Sequence, residues 1–181
     1  MKKTNINIAR YVIISFVLLV SLRINLISQS ESATLENVLS VYIYNFSKYI
    51  EWPPSQSDKF NICIWGENKI ISPLEVIAKK ETVNGKEIEV KELNKLNEIE
   101  KCNILFYPGN NIRVFSRLID FANEKAILLI TNSEGFAEKG AGINFIKVED
   151  KIKFEINKRV LEKNKLIPNS RLLSLAVNVY E

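Results

Sequence analysis

CNILFYPGNNIRVFSRLIDFANEKAILLIT, Cys102 to Thr131, is the stretch whose reading decides the fold. CNILFY is an apolar run of strand length closed by Pro108-Gly109. Ile112, Phe115, Leu118, Ile119 and Ala122 then recur at three and four residues, the spacing of one helical face. AILLIT, Ala126 to Thr131, is again strand-like. Strand, helix, strand in this order implies parallel neighbours joined by a right-handed crossover.

Upstream, Leu35, Val38, Leu39, Tyr42, Ile43, Phe46, Tyr49 and Ile50 trace an amphipathic helix over Thr34 to Trp52, which Pro53 and Pro54 end. FNICIWG, Phe60 to Gly66, reads as a strand, Pro73 to Lys80 as a short helix, and KEIEVKEL, Lys86 to Leu93 after Asn84-Gly85, as a strand with one wet face. Downstream, Thr131 to Gly142 is a polar, glycine-rich loop, in which Gly140 and Gly142 supply backbone freedom before the next strand. Ile143 to Asn157 holds two alternating strands divided by Glu149-Asp150, a hairpin expected on the sheet edge. A helix to Asn164 and a last helix over Ser170 to Val179, with Ser170 as its cap, complete the chain. The expected architecture is a single-domain α/β fold: a mixed β-sheet with helices packed on it.

The first 33 residues differ in kind. Lys2, Lys3 and Arg10 precede the apolar run YVIISFVLLVSL, Tyr11 to Leu22, as in a signal peptide. A membrane span wants about 20 apolar residues, so an uncleaved anchor would have to carry Arg23 into hydrocarbon. Small residues in SQSESA, Ser28 to Ala33, offer an exit site, and with no cysteine there a lipoprotein is excluded. Residues 1–33 are therefore expected to be a signal peptide and 34–181 the exported domain. The segment carries four of the 25 basic residues and one of the 21 acidic ones, leaving a nearly neutral domain. The overall pI near 9.0 consequently gives no reason to expect nucleic acid as a partner.

Catalytic chemistry is narrowly bounded. There is no histidine in the chain, which excludes Ser-His-Asp and Cys-His arrangements and the commonest metal ligand. Most acidic residues fall in Lys/Glu alternations that read as solvated faces, and no pair is singled out for work across a cleft. GFAEKGAG, Gly135 to Gly142, lacks the GK[ST] ending of a phosphate loop. No catalytic residue, metal or cofactor is expected. Cys63 and Cys102, both at strand-like positions, fit two buried small hydrophobes or, in an exported chain, a disulfide.

YIYNFSKYIEWP (Tyr42 to Pro53), FNICIWG, KCNILFY, GAGINF, KIKFEIN and SRLLSLA occur in an order that resembles the YfiR family, over about Leu35 to Val179. The resemblance implies a periplasmic α/β protein of Gram-negative bacteria, capable of self-association as a homo-oligomer. It further implies repression of a membrane-bound diguanylate cyclase, engaged through the cyclase's periplasmic region. In the family's best-known member a disulfide joins the cysteines corresponding to Cys63 and Cys102. A second pair borders the late glycine-rich loop there and is absent here. By the same resemblance Ile143, Glu155 and Leu161 fall in the region used toward the partner. The competing expectation is a small-ligand-binding accessory module, which requires a concave pocket of several hundred cubic ångströms.

Export has a direct consequence. The mature protein should begin between Gln29 and Thr34, as intact mass of the periplasmic fraction would show. Recovery only as a full-length membrane-bound chain would contradict cleavage.

Overall fold

The computed structural model describes residues 35–181 except Gln56 and Glu124. The expected signal peptide, residues 1–33, lies outside the described residues. Among those described, no helix is long and apolar enough to cross a membrane.

The element order starts with a helix over 35–49 (α1), then β1 (Ile50–Glu51), β2 (Lys59–Trp65), α2 (Ile71–Ala78), β3 (Thr82–Val83) and β4 (Lys86–Leu93). A 3-10 helix, Leu96–Lys101, leads to β5 (Ile104–Tyr107), α3 (Ile112–Ala122) and β6 (Leu128–Thr131). The last third holds β7 (Ile143–Val148), β8 (Lys151–Asn157), α4 (Lys158–Lys163), β9 (Ile167–Pro168), α5 (Ser170–Leu175) and β10 (Asn178–Tyr180). Eight strands form one sheet in the order β10-β8-β7-β6-β5-β2-β4-β3, while β1 and β9 pair separately. Across the centre β7, β6, β5, β2 and β4 run parallel; β3 against β4 and β7 against β8 are antiparallel, so the sheet is mixed. The expected α/β domain, a mixed sheet with helices against it, is what the structure contains.

Central strands are apolar on both faces, and each face has its own cover. Ile62, Ile64, Ile104, Phe106, Leu128 and Ile130 turn toward α1, whose Leu39, Ile43 and Phe46 are buried against them. Successive side chains on a strand alternate faces, so Cys63, Leu105 and Leu129 turn the other way, to Phe115, Leu118 and Ala122 of α3. Beneath α1 the rings of Phe145 and Phe154 lie 5.7 and 5.0 Å from Phe46, which carries the same core onto the hairpin. Asn111 opens α3 by accepting from the backbone N–H groups of Arg113 and Val114, a side-chain cap. Asn84 and Gly85, both at positive φ, make the tight turn between β3 and β4.

Four expectations are corrected. The hairpin of β7 and β8 is not at the sheet edge, because β10 pairs in parallel with β8 and takes that place. Correspondingly the last helix ends at Leu175: Ala176 is extended, and the N–H of Val177 donates to the Phe154 carbonyl at 2.9 Å. Pairing with β8 thus wins over four more residues of helix. Asn169, one residue before Ser170, is the cap of α5 and accepts from Leu172 N. Finally, α1 stops at residue 49, since Ile50 and Glu51 pair with Pro168 and Ile167.

Cys63 and Cys102 form a disulfide, with Cα atoms 5.9 Å apart. Cys102 precedes β5, and its bridge sits beside reciprocal bonds in which Asn61 N donates to Asn103 Oδ1 and Asn103 N to the Asn61 carbonyl. The covalent link therefore fastens the start of β5 to β2. Closing a loop between residues 39 apart is worth up to about 4 kcal/mol in chain entropy. Replacing both cysteines by alanine should lower stability in urea by roughly 2–4 kcal/mol without changing the fold; a loss under about 1 kcal/mol would show the bridge to be energetically idle.

Candidate functional site

The second sheet face changes character where α3 no longer covers it. Registration places Thr131 opposite Asn144, Asn144 opposite Glu155 and Glu155 opposite Asn178, one polar row across β6, β7, β8 and β10. Their side chains bond in that order. Thr131 Oγ1 donates to Asn144 Oδ1 at 2.7 Å, and Asn144 Nδ2 to Glu155 Oε2 at 3.3 Å. From the far side, Asn178 Nδ2 and the Tyr180 hydroxyl both donate to Glu155 Oε1, at 2.9 and 3.2 Å. A carboxylate only 7% exposed is thus held by three neutral donors. Burial, then the neighbouring Glu155 charge, push the Tyr180 phenol above its usual range.

Ile143 and Leu161, expected near a partner, are both inside the core. Ile143 points from β7 to the α1 side and is fully buried there. Leu161 of α4 lies so close to Gly142 that a Cβ at that glycine would be 2.8 Å from Leu161 Cδ2. Close approach is therefore what requires glycine at 142, while Gly140, at φ +120°, supplies the backbone freedom. Asn157 fixes the approach by capping α4 through Val160 N and donating to the Ala137 carbonyl. Neither Ile143 nor Leu161 presents a side chain to solvent. Leu175 and Val177, just ahead of β10, are 54% and 48% exposed. Residue-type reasoning passed over both because the last helix was expected to continue through them.

Nothing in the row is arranged for bond-breaking chemistry: it contains no activated nucleophile and no acid-base pair. No group of three metal-ligating side chains occurs among the described residues. What the arrangement does is hold the C-terminal strand in register against the hairpin.

The family profile DUF4154, described as YfiR/HmsC-like, matches residues 36–177, nearly all of the described structure. The chain belongs to the YfiR/HmsC-like family. Membership supports a periplasmic regulatory role and places the protein among non-catalytic regulators. No curated protein matches the chain. Among solved structures, a conserved domain protein from Vibrio cholerae is 13% identical, with a TM-score of 0.50 over 66% of this chain and 54% of that one. The ABC domain in complex with L-Trp from Streptococcus pneumonia is 12% identical, with a TM-score of 0.48 over 66% of this chain and 55% of that one. This YfiR/HmsC-like chain spans little more than half the length of either, and the Vibrio likeness is one of fold.

Glu155→Ala should leave the Asn144 and Asn178 amides without their acceptor and cost about 2 kcal/mol. Glu155→Gln, which keeps one acceptor oxygen, should cost less. Urea unfolding gives the magnitudes, and amide exchange at Val179 and Tyr180 should accelerate in the alanine variant.

Proposed function

We propose that this protein acts from the periplasm on an inner-membrane diguanylate cyclase, binding the cyclase's periplasmic region and lowering cyclic di-GMP output. The observation that carries this reading is the YfiR/HmsC-like match over residues 36–177. Two features support contact at the late hairpin and C-terminal strand. Leu175 and Val177 are apolar and exposed, and Val177 lies against β8, where its N–H donates to the Phe154 carbonyl. Behind them, the Glu155 row fixes β10 to the hairpin, so the surface is preorganised and binding does not have to order it. Glu155 acts in this reading by positioning β10, with Ile143 and Leu161 supporting from the core.

Deleting the gene should raise cellular cyclic di-GMP, and the wild-type protein should restore it. A Leu175→Glu/Val177→Glu double variant should melt like wild type yet restore little. Losing an apolar anchor at the centre of an interface costs about 2 kcal/mol or more, roughly thirtyfold in affinity. Unchanged cyclic di-GMP on deletion, with the cyclase active, would exclude repression; full repression by the folded double variant would move the surface elsewhere.

A further inference from the structure

Away from the Glu155 row, at the opposite end of β6, the sheet carries a cleft of about 620 Å³. That volume is in the range of small-molecule sites. It opens at the N-terminal ends of β2, β5 and β6, between the chain following β1, the end of the 3-10 helix and the turn before β6. Asn61 forms part of its floor, 5% exposed and pinned on both sides of its amide. Its Nδ2 donates to the Lys101 carbonyl at 2.8 Å, and its Oδ1 accepts from Lys91 Nζ at 3.2 Å.

Two properties of the lining select a ligand. The first is charge. Lys59, Lys91, Lys101 and Lys125 face Asp58, Glu89 and Glu100, which leaves one cation in excess. Glu89 takes Lys91 and Lys59, at 2.7 and 3.8 Å, and Glu100 takes Lys125, whereas Lys101 and Asp58 each have no oppositely charged partner within 4.0 Å among the described residues. The second is a fixed apolar wall. Trp52 is locked by donation from its Nε1 to the Ser47 carbonyl at 2.8 Å and by edge-on packing against Phe60 at 4.9 Å, with Pro53 and Pro54 following it along the cleft. A rigid indole wall suits a flat apolar body, and a lining with one net positive charge and an unpaired Lys101 suits a single negative charge. We infer that this cleft binds a small aromatic carboxylate, its ring against Trp52 and its carboxylate toward Lys101. This site is separate from the partner surface proposed above and does not depend on it.

The sequence contains two tryptophans, Trp52 and Trp65, so Trp65→Phe leaves the cleft indole as the sole reporter. Titrating that protein with benzoate should change Trp52 fluorescence along a saturating curve. Benzamide, the neutral near-isostere, should bind up to about threefold more weakly, because it keeps a carbonyl acceptor but loses a partly exposed ion pair. Adding Lys101→Ala should weaken benzoate by about threefold, the range of a partly exposed ion pair, and Lys101→Glu by more. Lys79→Glu, on α2's C-terminal cap and outside the cleft, should leave the curve unchanged in a protein with the same melting temperature. A linear, non-saturating response would overturn the inference. So would equal affinities for benzoate and benzamide, or equal curves for Lys101→Glu and Lys79→Glu.

Discussion

Burial of β2, β5 and β6 on both faces is the constraint on which the rest of this structure depends. Every residue of β5 and β6 is buried, so neither face of these parallel strands can be left to water. That requires two helical layers, α1 on one side and α3 on the other, with the strand period of two dealing alternate side chains to each. The disulfide adds to the α3 side, where Cys63 takes the place of a larger apolar residue. On the α1 side the aromatic group of Phe46, Phe145 and Phe154 continues the core across the hairpin without a break.

On the α3 side the core does not continue, and that asymmetry shapes both ends of the protein. Beyond Leu129 the face passes to Thr131, Asn144, Glu155 and Asn178, each satisfied by the next. A buried carboxylate in such a row also guards register. Slipping β8 by one residue would turn Glu155 into the Phe46 aromatic group and leave three donors unpaired. The consequence is a C-terminal edge that is held firmly while Leu175 and Val177 remain exposed. At the other end of β6 the same face is left open as the cleft beside Trp52 and Lys101.

Much of this was legible in the sequence because local pattern and tertiary demand agree. α3 and β4 have the bounds that periodicity assigns them, and the Glu149-Asp150 turn sets the hairpin correctly. That two-residue turn even contains the register: counting outward from it puts Asn144 against Glu155. The polar row was therefore partly readable. β10 was not, because Leu172, Leu173, Leu175, Ala176 and Val179 keep a helical spacing, and only the free edge of β8 draws the last residues into a strand. Burial of Ile143 and Leu161 was likewise hidden. An apolar residue on a strand or helix has two faces to choose from, and which one is inside depends on Gly142 admitting Leu161 and on α1 covering β7.

We propose the firmly held C-terminal edge as the place where this regulator meets a membrane diguanylate cyclase. Site-specific photo-crosslinking in intact cells tests it most directly, with the photoreactive side chain placed at Val177 or, as a control, at Val76 on α2, which is 52% exposed. The prediction is a covalent adduct with an inner-membrane diguanylate cyclase from position 177 and none from position 76. No adduct with a cyclase from position 177, or an adduct from position 76 alone, would contradict it.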